Sequence, residues 1–123
     1  MNIMISSNSN LAIYEQIINQ IKTAIIKEEL IPGDPLPSIR SLARDLQISV
    51  ITTKRAYEEL ENEGLLYSLS GKGFYVCEQN TDVLKEKKIA MIERNMLEII
   101  RECKEAGLTM DDVKAMIDVL YED

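Results

Sequence analysis

The chain has 123 residues, of which 46% are apolar, and its formal net charge at pH 7 is −7. This length and apolar content are typical of one small globular domain with an appendage, and they exclude an intrinsically disordered chain. The chain has no histidine, and its two cysteines, Cys77 and Cys103, have no metal-ligand spacing, so we expect two buried thiols, no metal site and no cofactor.

A short strand and a long helix are the first predicted elements. Asn2–Ser6 is a candidate strand, and the polar residues from Ser7 to Asn10 offer a turn and N-cap side chains. From Leu11 to about Glu28, isoleucines recur every three or four residues, which predicts an amphipathic helix. The chain shows neither a signal peptide nor an apolar run of the ~18 residues that cross a bilayer, so we expect a soluble cytoplasmic protein without membrane contact.

Two short helices with a tight turn between them are predicted after a loop that contains three prolines. Ser38 is a candidate N-cap for an amphipathic helix that ends at Leu46. Ser49 can cap a second helix, and Gly64 ends it because glycine readily adopts the left-handed backbone conformation found at helix C-termini. The inward face of the second helix contains Tyr57, which we expect in the core.

Two strand-like segments, Leu65–Leu69 and Phe74–Cys77, follow the second helix. The connection between them contains two glycines, which permit positive φ at the tip of a hairpin. Two helices and a β-hairpin in this order predict a winged helix-turn-helix, a fold that inserts its second helix, the recognition helix, into a DNA groove. DNA binding is the leading interpretation because the region carries five cations, Arg40, Arg44, Lys54, Arg55 and Lys72.

The overall charge balance opposes a simple DNA-binding interpretation, because generic nucleic-acid binders are usually basic. Residues 1–78 carry seven Lys and Arg against ten Asp and Glu, and residues 79–123 carry seven against eleven. Neither part is basic. DNA binding therefore requires that the few cations form a local positive face on an acidic body.

The sequence from about Asp82 predicts two amphipathic helices. Ala106-Gly107 ends the first helix, and Thr109 begins the second with Asp112 at the capping-box position. Such a helical hairpin buries too little apolar surface to be stable alone. It therefore packs either on its own domain or on a second copy of the chain. We favour the second copy, since two-fold oligomers predominate. The predicted dimerisation residues are Ile89, Ile92, Met96, Ile99, Cys103, Val113, Met116, Ile117 and Leu120.

The predicted fold is therefore mainly α with a small β-wing. Residues 1–78 form a winged helix-turn-helix DNA-binding domain, and residues 79–123 form a C-terminal two-helix dimerisation hairpin. The partners expected from this organisation are a double-stranded DNA operator and a second copy of the chain.

Three motifs between Pro32 and Gly73 carry a resemblance to a known family. They are Pro32-Gly33-Asp34 with Leu36-Pro37-Ser38-Ile39-Arg40-Ser41-Leu42-Ala43, Thr53-Lys54-Arg55-Ala56-Tyr57-Glu58-Glu59-Leu60-Glu61 with Glu63-Gly64, and Gly71-Lys72-Gly73. Together they resemble the GntR family of bacterial winged-helix regulators over about residues 13–76, and the short helical tail resembles the YtrA subfamily. The resemblance implies a homodimeric transcriptional regulator, usually a repressor, that binds a two-fold symmetric operator.

The resemblance also implies roles for single residues. Arg40 matches an arginine that contacts DNA. The residues that match recognition-helix positions are Ser49, Thr52 and Lys54, and Arg55 is a candidate phosphate contact. Gly71 and Lys72 match the wing tip that enters the minor groove. Val50 and Ile51 stand where relatives carry polar or basic residues, which leaves contact with a thymine methyl as the available interaction. Gln47 replaces a glycine in the turn, so we expect a left-handed non-glycine residue there.

Three classes of function are the alternatives for this sequence. The first is the DNA-binding repressor, and the second is a winged-helix protein-interaction module without DNA binding, which the acidic balance and the apolar pair Val50 and Ile51 would favour. The third, an enzyme, is not expected, because the chain has no histidine and Cys77 has no candidate base. Arg44 has a structural alternative, since it can pair with Asp45 or Glu59. Whether a small-molecule effector exists stays open.

Overall fold

The structure is a computed structural model that describes residues 1–122. Within these residues, five helices and one two-stranded sheet follow one another: α1 (Ile13–Ile26), α2 (Ile39–Leu46), α3 (Val50–Asn62), β1 (Leu66–Leu69), β2 (Gly73–Val76), α4 (Thr81–Glu105) and α5 (Met110–Leu120). The predicted fold is confirmed as a winged helix-turn-helix followed by two helices. The chain divides into two compact units, Met1–Lys85 and a second unit that begins at Glu86.

The core of the first unit lies where α1 and α2 pack on α3. Ile17, Ile21 and Ile25 of α1 are fully or almost fully buried, as the isoleucine periodicity predicts. Tyr57 and Leu60 of α3 belong to the same cluster, and β1 and β2 add residues to it. Burial of these large side chains supplies the main stabilisation of the unit, at about 1.5–3 kcal/mol for each aliphatic side chain.

The predicted strand at Asn2–Ser6 is wrong for the described chain, which has a side-chain clamp at this position instead. The Met4 N–H donates to Gln20 Oε1 at 2.9 Å, and Gln20 Nε2 donates to the Met4 carbonyl at 2.7 Å. Gln16 makes the same pair of bonds to the backbone of Ser6, at 2.9 and 3.1 Å. Each glutamine amide thus satisfies one donor and one acceptor, as a neighbouring strand would.

The predicted capping of α1 by residues 7–10 is also wrong. The N-cap is Ala12, whose side chain makes no capping bond, and Glu15 accepts a hydrogen bond from the Ala12 N–H at 3.4 Å. At the other end α1 stops at Ile26, and Glu28 has a left-handed backbone with φ of 61°. The helix is therefore shorter at both ends than its apolar pattern predicts.

The caps of the helix-turn-helix are those that the sequence predicts. Ser38 Oγ accepts from the Ser41 N–H at 3.0 Å, and Ser49 Oγ accepts from the Thr52 N–H at 3.0 Å. Gln47 adopts the predicted left-handed conformation, with φ of 56° and ψ of 46°, and so reverses the chain between α2 and α3. Gly64, with φ of 79°, ends α3.

The wing is an antiparallel pair in which Leu66 faces Val76 and Leu69 faces Gly73. The loop after α1 is attached to β2, because the Leu36 N–H donates to the Phe74 carbonyl at 2.9 Å and Pro35 forms a β-bridge with Tyr75. The hydrogen bonds continue on the other side of Pro35, where the Gly33 N–H donates to the Val76 carbonyl at 2.8 Å and the Val76 N–H donates to the Asp34 carbonyl at 2.9 Å. The wing is thereby tied to the segment that leads into α2.

The C-terminal helices have well-defined caps. Asn80 Oδ1 accepts from the backbone N–H groups of Asp82 and Val83 at the start of α4, at 2.9 and 3.2 Å. Thr109 and Asp112 form the predicted capping box at the start of α5. None of the helices in residues 1–122 combines the length and apolar composition that a membrane crossing requires.

The prediction of two buried thiols is half wrong. Cys103 is buried, with 8% of its surface exposed, but Cys77 is only half-buried. Burial and the charge of Glu61 raise the pKa of the Cys77 thiol above its ordinary value. This shift keeps the sulfur in its protonated, less reactive form at neutral pH.

Candidate nucleic-acid interface

The head of α3 presents an apolar pair to solvent. Val50 and Ile51, the first two residues of the helix, are 49% and 81% exposed. β-Branched side chains are stiff in a helix, so both present a fixed shape. This head is the part of a helix-turn-helix recognition helix that contacts base edges.

The two hydroxyl groups at the same end of α3 are bonded to each other. Ser49 Oγ donates to Thr52 Oγ1 at 2.8 Å and also accepts the Thr52 N–H. A further bond, from Thr53 Oγ1 to the Ser49 carbonyl at 3.1 Å, closes the first turn. Ser49 is therefore the N-cap of α3, and Thr52 is the residue to which this cap is bonded.

The two cations of α3 each have a partner within the chain. Lys54 Nζ lies 3.7 Å from Glu58 Oε1, one turn further along the helix. The Arg55 guanidinium carbon lies 3.8 Å from the centre of the Tyr14 ring, in a cation–π contact that joins α3 to α1. Both cations remain exposed at their own positions, so either can exchange its partner for a phosphate.

Arg40 and Arg44 lie on α2 and differ in their surroundings. Arg40, the second residue of α2, is exposed. Arg44 Nε lies 3.9 Å from Asp45 Oδ1, which is the structural alternative predicted from the sequence. Arg40 is therefore the stronger candidate for a DNA contact from this helix.

The tip of the wing carries Lys72 on glycine-rich backbone. Gly71 has φ of 73° and Gly73 has φ of 94°, conformations that disfavour other residues, although space for a Cβ exists at both positions. The Tyr75 hydroxyl donates to the Lys72 carbonyl at 2.9 Å, and the Tyr75 ring stacks on Tyr67 with centroids 5.6 Å apart. These contacts fix the tip while the Lys72 side chain stays exposed.

A buried tyrosine fixes α3 against the loop before α2. The Tyr57 hydroxyl donates to the Pro37 carbonyl at 2.7 Å, and its ring meets the edge of Phe74 with centroids 5.1 Å apart. Burial raises the pKa of Tyr57 well above its ordinary value, so the hydroxyl keeps its proton and remains a donor. Tyr57 thus links the recognition helix, the loop and the wing.

The negative charges of α3 lie towards its other end. Glu63 pairs with Lys22 of α1 at 2.9 Å, and Glu61 accepts hydrogen bonds from the Ser68 hydroxyl at 2.7 Å and from the Ser68 N–H at 3.2 Å. Carboxylates in the second half of the helix would repel DNA phosphates. The first two turns are therefore the part of α3 that is compatible with DNA phosphates.

All predicted DNA-binding residues belong to the first unit. Residues 49–55 are consecutive at the head of α3, whereas Arg40 is placed by α2 and Gly71 and Lys72 by the wing. Two partners were missed from the sequence, Tyr14 and Glu58. The spacing of Glu58 from Lys54 was a visible signal for an ion pair, but nothing in the sequence pairs Tyr14 with Arg55.

Comparisons with known proteins agree on the class of this fold. A family model described as bacterial regulatory proteins, gntR family, matches residues 13–76, which contain α1 to β2. The HTH-type transcriptional repressor YtrA of Bacillus subtilis (strain 168) is 36% identical over 121 residues, covering 98% of this chain and 93% of that protein.

Two groups of solved structures are also similar. YtrA from Sulfolobus acidocaldarius, a GntR-family transcription factor, has 36% sequence identity and a TM-score of 0.60, covering 85% of this chain and 97% of that one. AraR(DBD) in complex with operator ORX1 has 25% identity and a TM-score of 0.55, covering 63% of this chain and 96% of that one. The second similarity is to a domain bound to DNA.

Proposed function

Because this chain belongs to the GntR family of bacterial regulatory proteins, it is a DNA-binding transcriptional regulator, and we propose that it represses transcription as a homodimer on a two-fold symmetric operator. The observation that carries the proposal is the exposed head of α3 within this fold. It presents Val50, Ile51 and Lys54 at the end that a helix-turn-helix inserts into the major groove.

In the proposed complex each protomer lays residues 49–55 in a major groove and its wing tip in the neighbouring minor groove. Lys54 and Arg40 neutralise phosphates, and Lys72 enters the minor groove from the glycine-rich tip. Phosphate contacts position the protein, whereas contacts to base edges select the sequence. A bound dimer would then block access of RNA polymerase to the promoter, and its place of action would be the cytoplasm.

The support for a homodimer is the exposed apolar surface of the second unit. Among the described residues α5 buries none of its side chains, and Ile92 and Ile99 of α4 are 56% and 57% exposed. Many exposed large apolar side chains within two helices are typical of an interaction site. The proposed contact residues that are exposed in the single chain are Ile89, Ile92, Met96, Ile99, Met116, Ile117 and Leu120, with Val113 half-buried.

Cys103 has a different place in this proposal. Cys103 is one of the predicted dimerisation residues, but it is already buried in the single chain. Its carbonyl accepts a hydrogen bond from the Leu108 N–H at 2.9 Å. Gly107, with φ of 81°, reverses the chain here. We therefore assign Cys103 to the packing of the turn between α4 and α5 and not to the dimer contact.

The alternative of a protein-interaction module that has lost DNA binding is not supported. Its sequence basis was the acidic balance and the apolar pair at the head of α3. The similarity to an operator-bound domain and the confinement of α3 carboxylates to residues 58–61 oppose it, because cations remain at the DNA-facing end. We do not retain it as a second function.

The proposal is tested by salt-titrated binding of the full-length chain to duplexes selected from its own genome. We expect affinity to fall steeply with salt, with a slope of about 0.9 in log–log units for each neutralised phosphate. Lys54→Ala should weaken binding to all duplexes and lower the slope by about one. Lys114→Ala, in the second unit, is the matched control and should leave the slope unchanged. An affinity that does not change with salt concentration would refute the proposal.

A further inference from the structure

We propose that Val50 and Ile51 select operator sequence by apolar contact with the 5-methyl groups of thymines in the major groove. This inference rests on the proposed function, because it specifies which bases the head of α3 recognises. It makes the two side chains specificity-determining residues that act without hydrogen bonds to the bases.

The first support is the exposure of the pair. Ile51 is 81% exposed and Val50 is 49% exposed, at the first turn of the helix that enters the groove. Apolar surface that loses water on binding contributes favourably, at about 25 cal/mol for each Å². In the major groove the apolar group available to receive it is the thymine methyl.

The second support is that the polar neighbours of the pair have partners already. Ser49 and Thr52 are bonded to each other at 2.8 Å, Lys54 is paired with Glu58 at 3.7 Å, and Arg55 lies 3.8 Å from the Tyr14 ring. A base contact by any of these groups would have to replace an existing interaction. Contact by Val50 and Ile51 replaces only water, so it requires no rearrangement of the helix head.

The third support is the shape and charge of the surroundings. β-Branched side chains in a helix have few rotamers, so Val50 and Ile51 present a rigid surface that can distinguish a methyl group from its absence. Lys54, three residues beyond Ile51, adds a positive charge for the phosphates that border the groove. An apolar patch on a protein partner would not pair with the charge of Lys54, whereas a DNA phosphate would. We therefore propose DNA as the partner of this surface.

The test replaces thymine by uracil, which pairs identically but lacks the methyl group. The full-length chain first selects duplexes from a random pool, and the selected duplex is then resynthesised with deoxyuridine at one thymine position at a time. We expect one or two positions in each half-site to lose about fourfold in affinity, the effect of one buried methyl group. Fluorescence anisotropy at constant salt measures the change.

Substitutions at Val50 and Ile51 test whether these residues cause the loss of affinity for uracil duplexes. Ile51→Ala and Val50→Ala should each weaken binding to the thymine duplex by a similar factor, and the sensitive uracil position should then cause no further loss. Both sites are exposed, and alanine favours a helix, so the fold should persist. Val83→Ala, another exposed valine in a helix of the first unit, is the matched control.

The outcomes separate this inference from the proposed function. If duplexes are selected but every uracil position binds equally well, the inference is overturned while the repressor proposal stands. The same holds if uracil weakens Ile51→Ala as much as it weakens the parent chain. If no duplex is selected at any salt concentration, both proposals fail, and the apolar pair belongs to a contact with another protein.

Discussion

Glu58 would compete with DNA for Lys54 in the proposed complex. The two side chains lie 3.7 Å apart on the surface of α3, and each is more than half exposed, so the pair is worth only a few tenths of a kcal/mol. In the proposed complex a phosphate would have to displace Glu58 before Lys54 could bind it. The Glu58 carboxylate would also repel the phosphate directly, so we expect Glu58 to lower the affinity for DNA in two ways.

We therefore expect Glu58→Gln to raise affinity for the selected operator by roughly twofold or more at low salt, with a smaller gain at high salt. Binding isotherms at two salt concentrations measure it. In a Lys54→Ala background, the part of the gain that comes from releasing Lys54 should disappear. Glu98→Gln, which makes the same charge change in the second unit, is the control. A loss of affinity in Glu58→Gln would contradict the competition.

The contact between Arg55 and Tyr14 holds the recognition helix to α1. We expect Tyr14→Leu to reduce the free energy of unfolding by about 1 kcal/mol more than Tyr14→Phe, because phenylalanine keeps the ring face that attracts the guanidinium. Urea denaturation followed by circular dichroism measures the difference. Equal losses in the two variants would mean that the ring contributes only apolar packing.

What the sequence could predict at this scale depended on distance along the chain. The caps at Ser38, Ser49 and Thr109 follow from interactions within three residues, and all three are confirmed. The contact of Arg55 with Tyr14 spans 41 positions and exists only because α1 packs on α3. No local pattern contains that information.

Among the elements, the N-terminal segment shows how a strand prediction fails. Its residues have strand character, but a strand needs a neighbouring backbone to complete its hydrogen bonds. Here Gln16 and Gln20 provide the bonds from their side chains, four residues apart on one face of α1. A glutamine on a helix usually faces solvent, so no sequence pattern assigns this role to Gln16 or Gln20.

The capping box of α5 makes the start of that helix sensitive to acid. Hydrogen bonds from the Thr109 N–H and then from its hydroxyl hold the pKa of the Asp112 carboxyl below its ordinary value of 3.8. Since the folded-state pKa is the lower one, the stabilisation is complete above the unfolded-state pKa. It is lost as the pH falls through the folded-state pKa.

We therefore expect the first turn of α5 to loosen only below about pH 4. The amide chemical shift of Thr109, followed by NMR during an acid titration, should move with the Asp112 carboxyl. Asp112→Asn should remove that titration and leave the first turn equally loose at neutral and acid pH. A Thr109 shift that persists in Asp112→Asn would show that another group is responsible.

For the molecule as a whole, the fold was predictable and the assembly remains a proposal. Helical and strand periodicities predict all the elements from α1 through β2, because the core residues lie on one face of each element. Apolar residues repeat along α4 and α5, and Cys103 belongs to that repeat, but it is already buried in the single chain, close to the chain reversal at Gly107. A repeat pattern cannot distinguish burial by a turn from burial by a partner.

The proposed dimer predicts a clear effect of charge in its seam. We expect the double variant Ile92→Glu and Ile99→Glu to be monomeric and to bind a two-site operator at least tenfold more weakly, because unpaired carboxylates are costly in an apolar interface. Light scattering and operator titration measure the two effects. Arg94→Gln, on the polar side of α4, should leave both unchanged. A dimeric double variant would exclude this face as the interface.

The division of charge along α3 has a consequence for how the protein finds its site. The net charge of −7 repels a duplex, so in the proposed complex we expect approach to be favourable when the head of α3 faces the DNA. Misaligned encounters with random DNA should therefore be short-lived. The chain would spend little time trapped on the rest of the chromosome, and even a small number of molecules could reach their operator quickly.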